Sequence, residues 1–182
     1  MRKSALDPAR ATVGDVATAM FQVDSRLRQL HGDPVHESRE YRHELARAFK
    51  TADPEQVVDG FCTLLYLLMK WLGEACETTG KDVAEEVVPY TVRCLTQMTR
   101  NIEREAVPTM GGMLVACTLG LSPTLWRRQY GPWTRGELTA LEATAVLLAE
   151  QVNCWAGDPE AAGRLVLGAL DEAHEQNGEE VR

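Results

Sequence analysis

Residues 54–78 read PEQVVDGFCTLLYLLMKWLGEACET, and the way this stretch can be buried decides the fold. Its centre, FCTLLYLLM at 61–69, is apolar on every face of a helix. A helix of that kind sits among several neighbours rather than on a surface. The run is far shorter than the roughly 20 residues that span a bilayer, so it reads as a core helix. Asp53-Pro54 before it pairs an amide-accepting side chain with a residue suited to the first helical turn.

Working outward, the same chemistry recurs. Ser122-Pro123 and Asp158-Pro159 mark further helix starts, the latter opening a helix expected to run to about Gln176. Thr134-Arg-Gly-Glu137 is a capping box that leads into Leu138, Leu141, Ala145, Leu148, Ala149 and Val152, which share one face. Towards the N-terminus, Val13, Val16, Met20, Val23, Leu27 and Leu30 alternate steps of three and four, the seam of a packed helix. Residues 37–49 continue as a more polar helix anchored by Leu45 and Phe49. Asp82 to Arg104 reads as another, which Pro89 must either kink or shorten. No alternating run flanked by a hairpin turn interrupts these segments. The expectation is an all-α, single-domain bundle over 1–182, with about six to eight helices around 54–78 and frayed ends at 1–11 and 177–182.

Composition narrows the function classes. A chain of 182 residues can bury most of its unfolded surface without metals or disulfides, and 45% hydrophobic content excludes disorder as its main description. The net charge of −8 argues against a general phosphate-binding surface, so nucleic acid is not an expected partner. The charge is uneven: residues 1–50 hold nine Lys/Arg against seven Asp/Glu, and the remainder ten against twenty. The five cysteines, 62, 76, 94, 117 and 154, are widely spaced among apolar neighbours and read as reduced core thiols. With no apolar leader at the N-terminus, the expected compartment is the cytoplasm, with no membrane association.

Four constellations could carry chemistry. TMGGMLVACTLGLSP at 109–123 is glycine-rich but follows no strand and is joined by no lysine, so it is not a phosphate loop. Gly112, Ala116 and Gly120 are four apart and would form a smooth stripe for close backbone packing or one wall of a ligand cavity, with Thr109 as the N-cap. A hinge at Gly111-Gly112 is the remaining reading. Each interior glycine costs about 0.5–1 kcal/mol relative to Ala, which close packing must recover.

Glu40-x-x-His43 has the spacing of one metal-ligand pair in a di-iron bundle, and Asp171-x-x-His174 is the nearest second half. The arginines around Glu40 and His43 suit a solvated face of ion pairs instead. No cofactor is expected. Residues 12–28 superficially resemble helix-turn-helix sequences through Ala17, Met20 and Leu27, but Phe21 stands where the turn wants glycine, and the seam runs on through Leu30. Finally, Trp126, Trp133 and Trp155 gather around the 123–134 connection near Arg127-Arg128. Trp and Arg dominate binding hot spots, and aromatics also pin loops to cores.

These readings point first to a non-enzymatic helical module that associates with itself or with a protein partner. The first alternative is a ligand-sensing bundle with a cavity lined by Met110, Met113, Cys117, Trp71 and Trp126. The second is an enzyme using a carboxylate-histidine metal site at Glu40 and His43.

Overall fold

The computed structural model describes residues 12–32 and 54–179, and these form seven α-helices with no strand among them. The all-α expectation holds. The helices are α1 (Val13–Leu30), α2 (Pro54–Thr78), α3 (Val83–Gln97), α4 (Val107–Thr118), α5 (Pro123–Arg128), α6 (Arg135–Ala156) and α7 (Ala161–Glu179), with a 3-10 turn at Arg104–Ala106 before α4. The helix expected at 37–49 and the expected frayed ends 1–11 lie outside the described residues.

α2 is the central helix and touches each of the other six. Phe61, Cys62, Leu64, Leu65, Leu67, Leu68, Met69, Leu72 and Cys76 are all buried along it. Each buried leucine contributes about 1.5–3 kcal/mol by leaving water, so this one stretch is the largest apolar contribution to the core. Near its start the chain needs glycine: a Cβ on Gly60 would fall 2.7 Å from the carbonyl carbon of Asp15, so α1 lies directly on the α2 backbone there. No helix of the described residues is long and apolar enough to cross a membrane.

α1 begins with a capping box that the hydrophobic seam alone does not reveal. Thr12 Oγ1 accepts from the Asp15 amide at 3.2 Å, and Asp15 Oδ2 accepts from the Thr12 amide at 3.0 Å. Val16, Ala19, Met20, Val23 and Leu27 are buried, whereas Leu30, expected on the seam, is 74% exposed at the helix end. The helix is unbroken from Val13 to Leu30, so the turn that a helix-turn-helix needs at Phe21 is absent.

α3 starts at the Asp82 cap and continues through Pro89. Proline cannot donate to the Glu85 carbonyl, and both residues lie on the exposed face of the helix. The helix stops at Gln97 rather than Arg104. Asn101 and Ile102 both donate to the Met98 carbonyl, at 3.0 and 2.9 Å, and the turn they make returns Ile102 to the core.

α6 carries the expected capping box and ends at Gly157 in the left-handed conformation, φ 66°. Leu138, placed on its buried face by periodicity, is exposed, while Leu141, Ala145, Leu148, Ala149 and Val152 are buried. α7 starts at Ala161, two residues beyond Pro159, because its first turn is capped from the preceding helix. Asn153 Oδ1 accepts from the Ala162 amide at 2.8 Å, and the Asp158 carboxylate accepts from the Glu160 amide at 2.9 Å and pairs with Arg164. Three cysteines, 62, 76 and 117, are core thiols as expected, but Cys154 is exposed and Cys94 half-buried.

Candidate functional site

The connection from α4 to α6 collects most of the residues singled out in the sequence. Ser122 caps α5 by accepting from the Leu125 amide at 3.2 Å, with Pro123 in the first turn. The six-residue helix that follows sends Trp126 one way and Arg127 another.

Arg127 turns inward and is 2% exposed. Its Nη1 donates to the Gly131 carbonyl at 2.9 Å, and Nη2 donates to the Pro132 carbonyl at 3.1 Å and to Glu137 Oε2 at 2.6 Å. Trp133 packs on the guanidinium, 4.6 Å from ring centroid to Cζ. Glu137, the third helical residue of the capping box, also accepts from the Thr134 amide at 2.9 Å and the Thr109 hydroxyl at 3.0 Å. Burial pushes the Glu137 carboxyl up, but the Thr134 amide, Arg127 and Thr109 outweigh it and hold the group below its ordinary value. One carboxylate therefore ties α4, the 129–134 loop and α6 to the same guanidinium.

Of the two readings of the tryptophan-arginine cluster, the geometry fits the pinned loop: the buried guanidinium donates through both Nη atoms to three internal acceptors, leaving Nε without a partner among the described residues, and Trp133 covers it. Thr109 is not an N-cap, since α4 begins two residues earlier behind Ala106, and its hydroxyl is directed to Glu137 instead.

The glycine stripe is also shorter than its spacing suggests. At Gly112 the Trp126 ring lies against the bare backbone of α4, and a Cβ there would fall 2.6 Å from Cζ2. Tyr130 packs against Trp126 in a tilted arrangement, with centroids 4.8 Å apart and ring planes at 47°. Ala116 is buried. Gly120, however, lies beyond the helix with φ 71°. Its amide bonds to the Cys117 carbonyl at 3.0 Å and that of Leu121 to Ala116 at 2.9 Å, the paired bonds of a helix-ending Schellman turn. Helical spacing does not distinguish a glycine inside a helix from one that stops it.

The proposed cavity residues are packed into the bundle. Met110 and Met113 are fully buried, Cys117 is buried, and Trp71 and Trp126 pack half-buried against the core. Glu40 and His43 lie outside the described residues. Asp171 and His174 are both exposed on α7, and among the described residues no group of three His, Cys, Asp or Glu side chains is placed to hold a metal ion. Trp155 departs from the other tryptophans and lines a recess between α3 and α6.

Residues 106–126 contain no charged side chain. The structure exposes Val115, Leu119, Leu121 and Leu125 there, each at least 44% exposed, and Tyr130 follows beyond Arg127 and Arg128 at 64%. The Schellman turn brings the two ends together, because Leu121 is bonded within one turn of Val115 and Leu119. An uncharged apolar run reads equally as core or as exposed face, so the sequence does not distinguish the two. No family model, curated protein or solved structure matches this chain.

Proposed function

We propose that this chain is a non-enzymatic helical module that works by self-association or by binding a protein partner through the corner formed by α4 and α5. The supporting observation is the concentration of exposed apolar side chains: Val115, Leu119, Leu121, Leu125 and Tyr130 are five of the twelve large exposed hydrophobics among the described residues. Interface centres are depleted in charge and enriched in aromatics, and this corner sets Tyr130 beside an uncharged run, with its exposed Arg128 paired to Asp59, in a chain of net charge −8. Its support is rigid, since Tyr130 rests on Trp126, Trp126 on Gly112, and Arg127 locks the loop behind them.

Sedimentation of the full chain across a concentration series tests the reading, beside Leu119→Asp combined with Leu125→Asp. Both positions are exposed, so the fold is retained. The expected result is an associating wild-type chain, or a partner complex, that the double variant weakens by about tenfold or more, equivalent to about 1.4 kcal/mol. A wild-type chain that stays monomeric throughout, with partner capture unchanged in the variant, overturns it.

A further inference from the structure

The recess between α3 and α6 has a chemistry of its own. Tyr90 and Trp155 line it with two aliphatic side chains, Val87 and Leu147, and two carboxylates, Glu86 and Glu150. Both aromatic side chains are exposed, so neither is consumed by the core. The two helices are fixed in register beneath it: Gln151 donates to the Thr91 hydroxyl at 2.9 Å, and Thr91 is fully buried.

The chain already brings a cation to this place. Lys81, in the turn before α3, holds its Nζ 6.0 Å from the Trp155 ring centroid and 3.4 Å from Glu86 Oε1. At the other end Glu150 lies 3.2 Å from His31 Nε2. An ammonium over a tryptophan face gains about 0.5–2 kcal/mol, more as water is excluded, and a neighbouring carboxylate adds a charge-assisted contact. At 6.0 Å Lys81 sits at the outer limit of that attraction and is half exposed, leaving the inner part of the recess to a closer cation.

We infer that this recess binds an alkylammonium group, either a free organic amine or a lysine side chain, with Trp155 and Tyr90 providing aromatic surface and Glu86 and Glu150 the countercharge. Lys81 is the tethered competitor, which the ligand displaces from Trp155. The half-buried Leu147 and the faces of the two aromatics receive the carbon substituents of the amine, which selects an alkylammonium over a hydrated metal ion. The acidic chain raises the local concentration of such cations.

Calorimetric titration of the full chain tests this with tetramethylammonium, n-butylammonium and N-acetyl-lysine amide, each against sodium chloride at equal ionic strength. Saturable binding is expected, weakened about tenfold by Trp155→Ala, a contact of about 1.4 kcal/mol, and weakened by Glu150→Gln. Lys81→Met is expected to tighten binding, a gain that a merely structural role for the lysine would not give. Tighter binding of tetramethylammonium assigns the site to free quaternary amines, and tighter binding of the lysine amide assigns it to a lysine side chain. Heats indistinguishable from sodium chloride, or equal affinity in a folded Trp155→Ala variant, overturn the inference.

Discussion

The Arg127 guanidinium meets the Glu137 carboxylate at 2.6 Å in a setting where the arginine is 2% exposed, so each charge depends on the other. Removing one partner leaves a buried charge without compensation, which costs about 3–5 kcal/mol, whereas removing both often costs little. Arg127→Met alone should therefore destabilise the protein by about that amount in urea unfolding. Arg127→Met with Glu137→Met should lose less than the two single losses added together, the remaining loss coming from the Gly131 and Pro132 carbonyls, the Thr109 hydroxyl and the Thr134 cap, the last worth about 1 kcal/mol. Strictly additive losses in the double variant would show that the two charges do not act as a pair.

The same carboxylate sets an acid limit on stability. Its folded value lies below the ordinary 4.5, so it contributes stability that is fully present above the unfolded value. That contribution is lost as pH falls below 4.5 and through the folded value. Urea midpoints measured down this range should drop in the wild type, and Glu137→Gln should show a shallower decline from a lower starting point. Parallel curves for the two proteins would remove Glu137 as a cause.

How far the sequence carried the fold is visible residue by residue. Ser122, Thr134 and the apolar 61–69 run were legible because a cap or an all-round apolar helix is a local signal. The partners of Thr109, Arg127 and Asn153 are not legible in the sequence, because Glu137 and the Ala162 amide are brought to them by tertiary packing. Arg127 beside tryptophans had the composition of a binding surface, yet its direction is set by the loop carbonyls of Gly131 and Pro132. The exposed corner was legible only as a run without charge. Which of its apolar residues face outward depends on where α4 stops, and Gly120 marks that point by its φ of 71°.

The two adjacent glycines of α4 make a paired prediction. Replacing Gly with Ala inside a helix gains about 1 kcal/mol from propensity when space allows. At Gly111 the added carbon would meet only the end of Val92, at 3.3 Å, so Gly111→Ala should be neutral to mildly stabilising. At Gly112 it would overlap the Trp126 ring, and overpacking of this kind costs about 1–3 kcal/mol. Thermal unfolding of the two variants should move in different directions relative to each other, with Gly112→Ala also perturbing the tryptophan fluorescence. Equal melting temperatures would mean that Trp126 does not rest on the α4 backbone.

The start of α7 should depend on a residue of α6. Asn153 accepts from the buried Ala162 amide at 2.8 Å, while the Asp158 carboxylate, adjacent to the helix in sequence, accepts from the exposed Glu160 amide and pairs with the exposed Arg164. A buried donor left without an acceptor costs about 1–3 kcal/mol, and an exposed one is satisfied by water. Asn153→Ala should therefore destabilise the chain within that range and speed hydrogen exchange at Ala162 and through the first turn of α7. Asn153→Asp keeps the acceptor oxygen and should restore most of the protection, whereas Asp158→Ala should have the smaller effect. If Asp158→Ala instead opened the first turn as far as Asn153→Ala, the cap would reside in the local sequence, and the contact between α6 and α7 would not set where α7 begins.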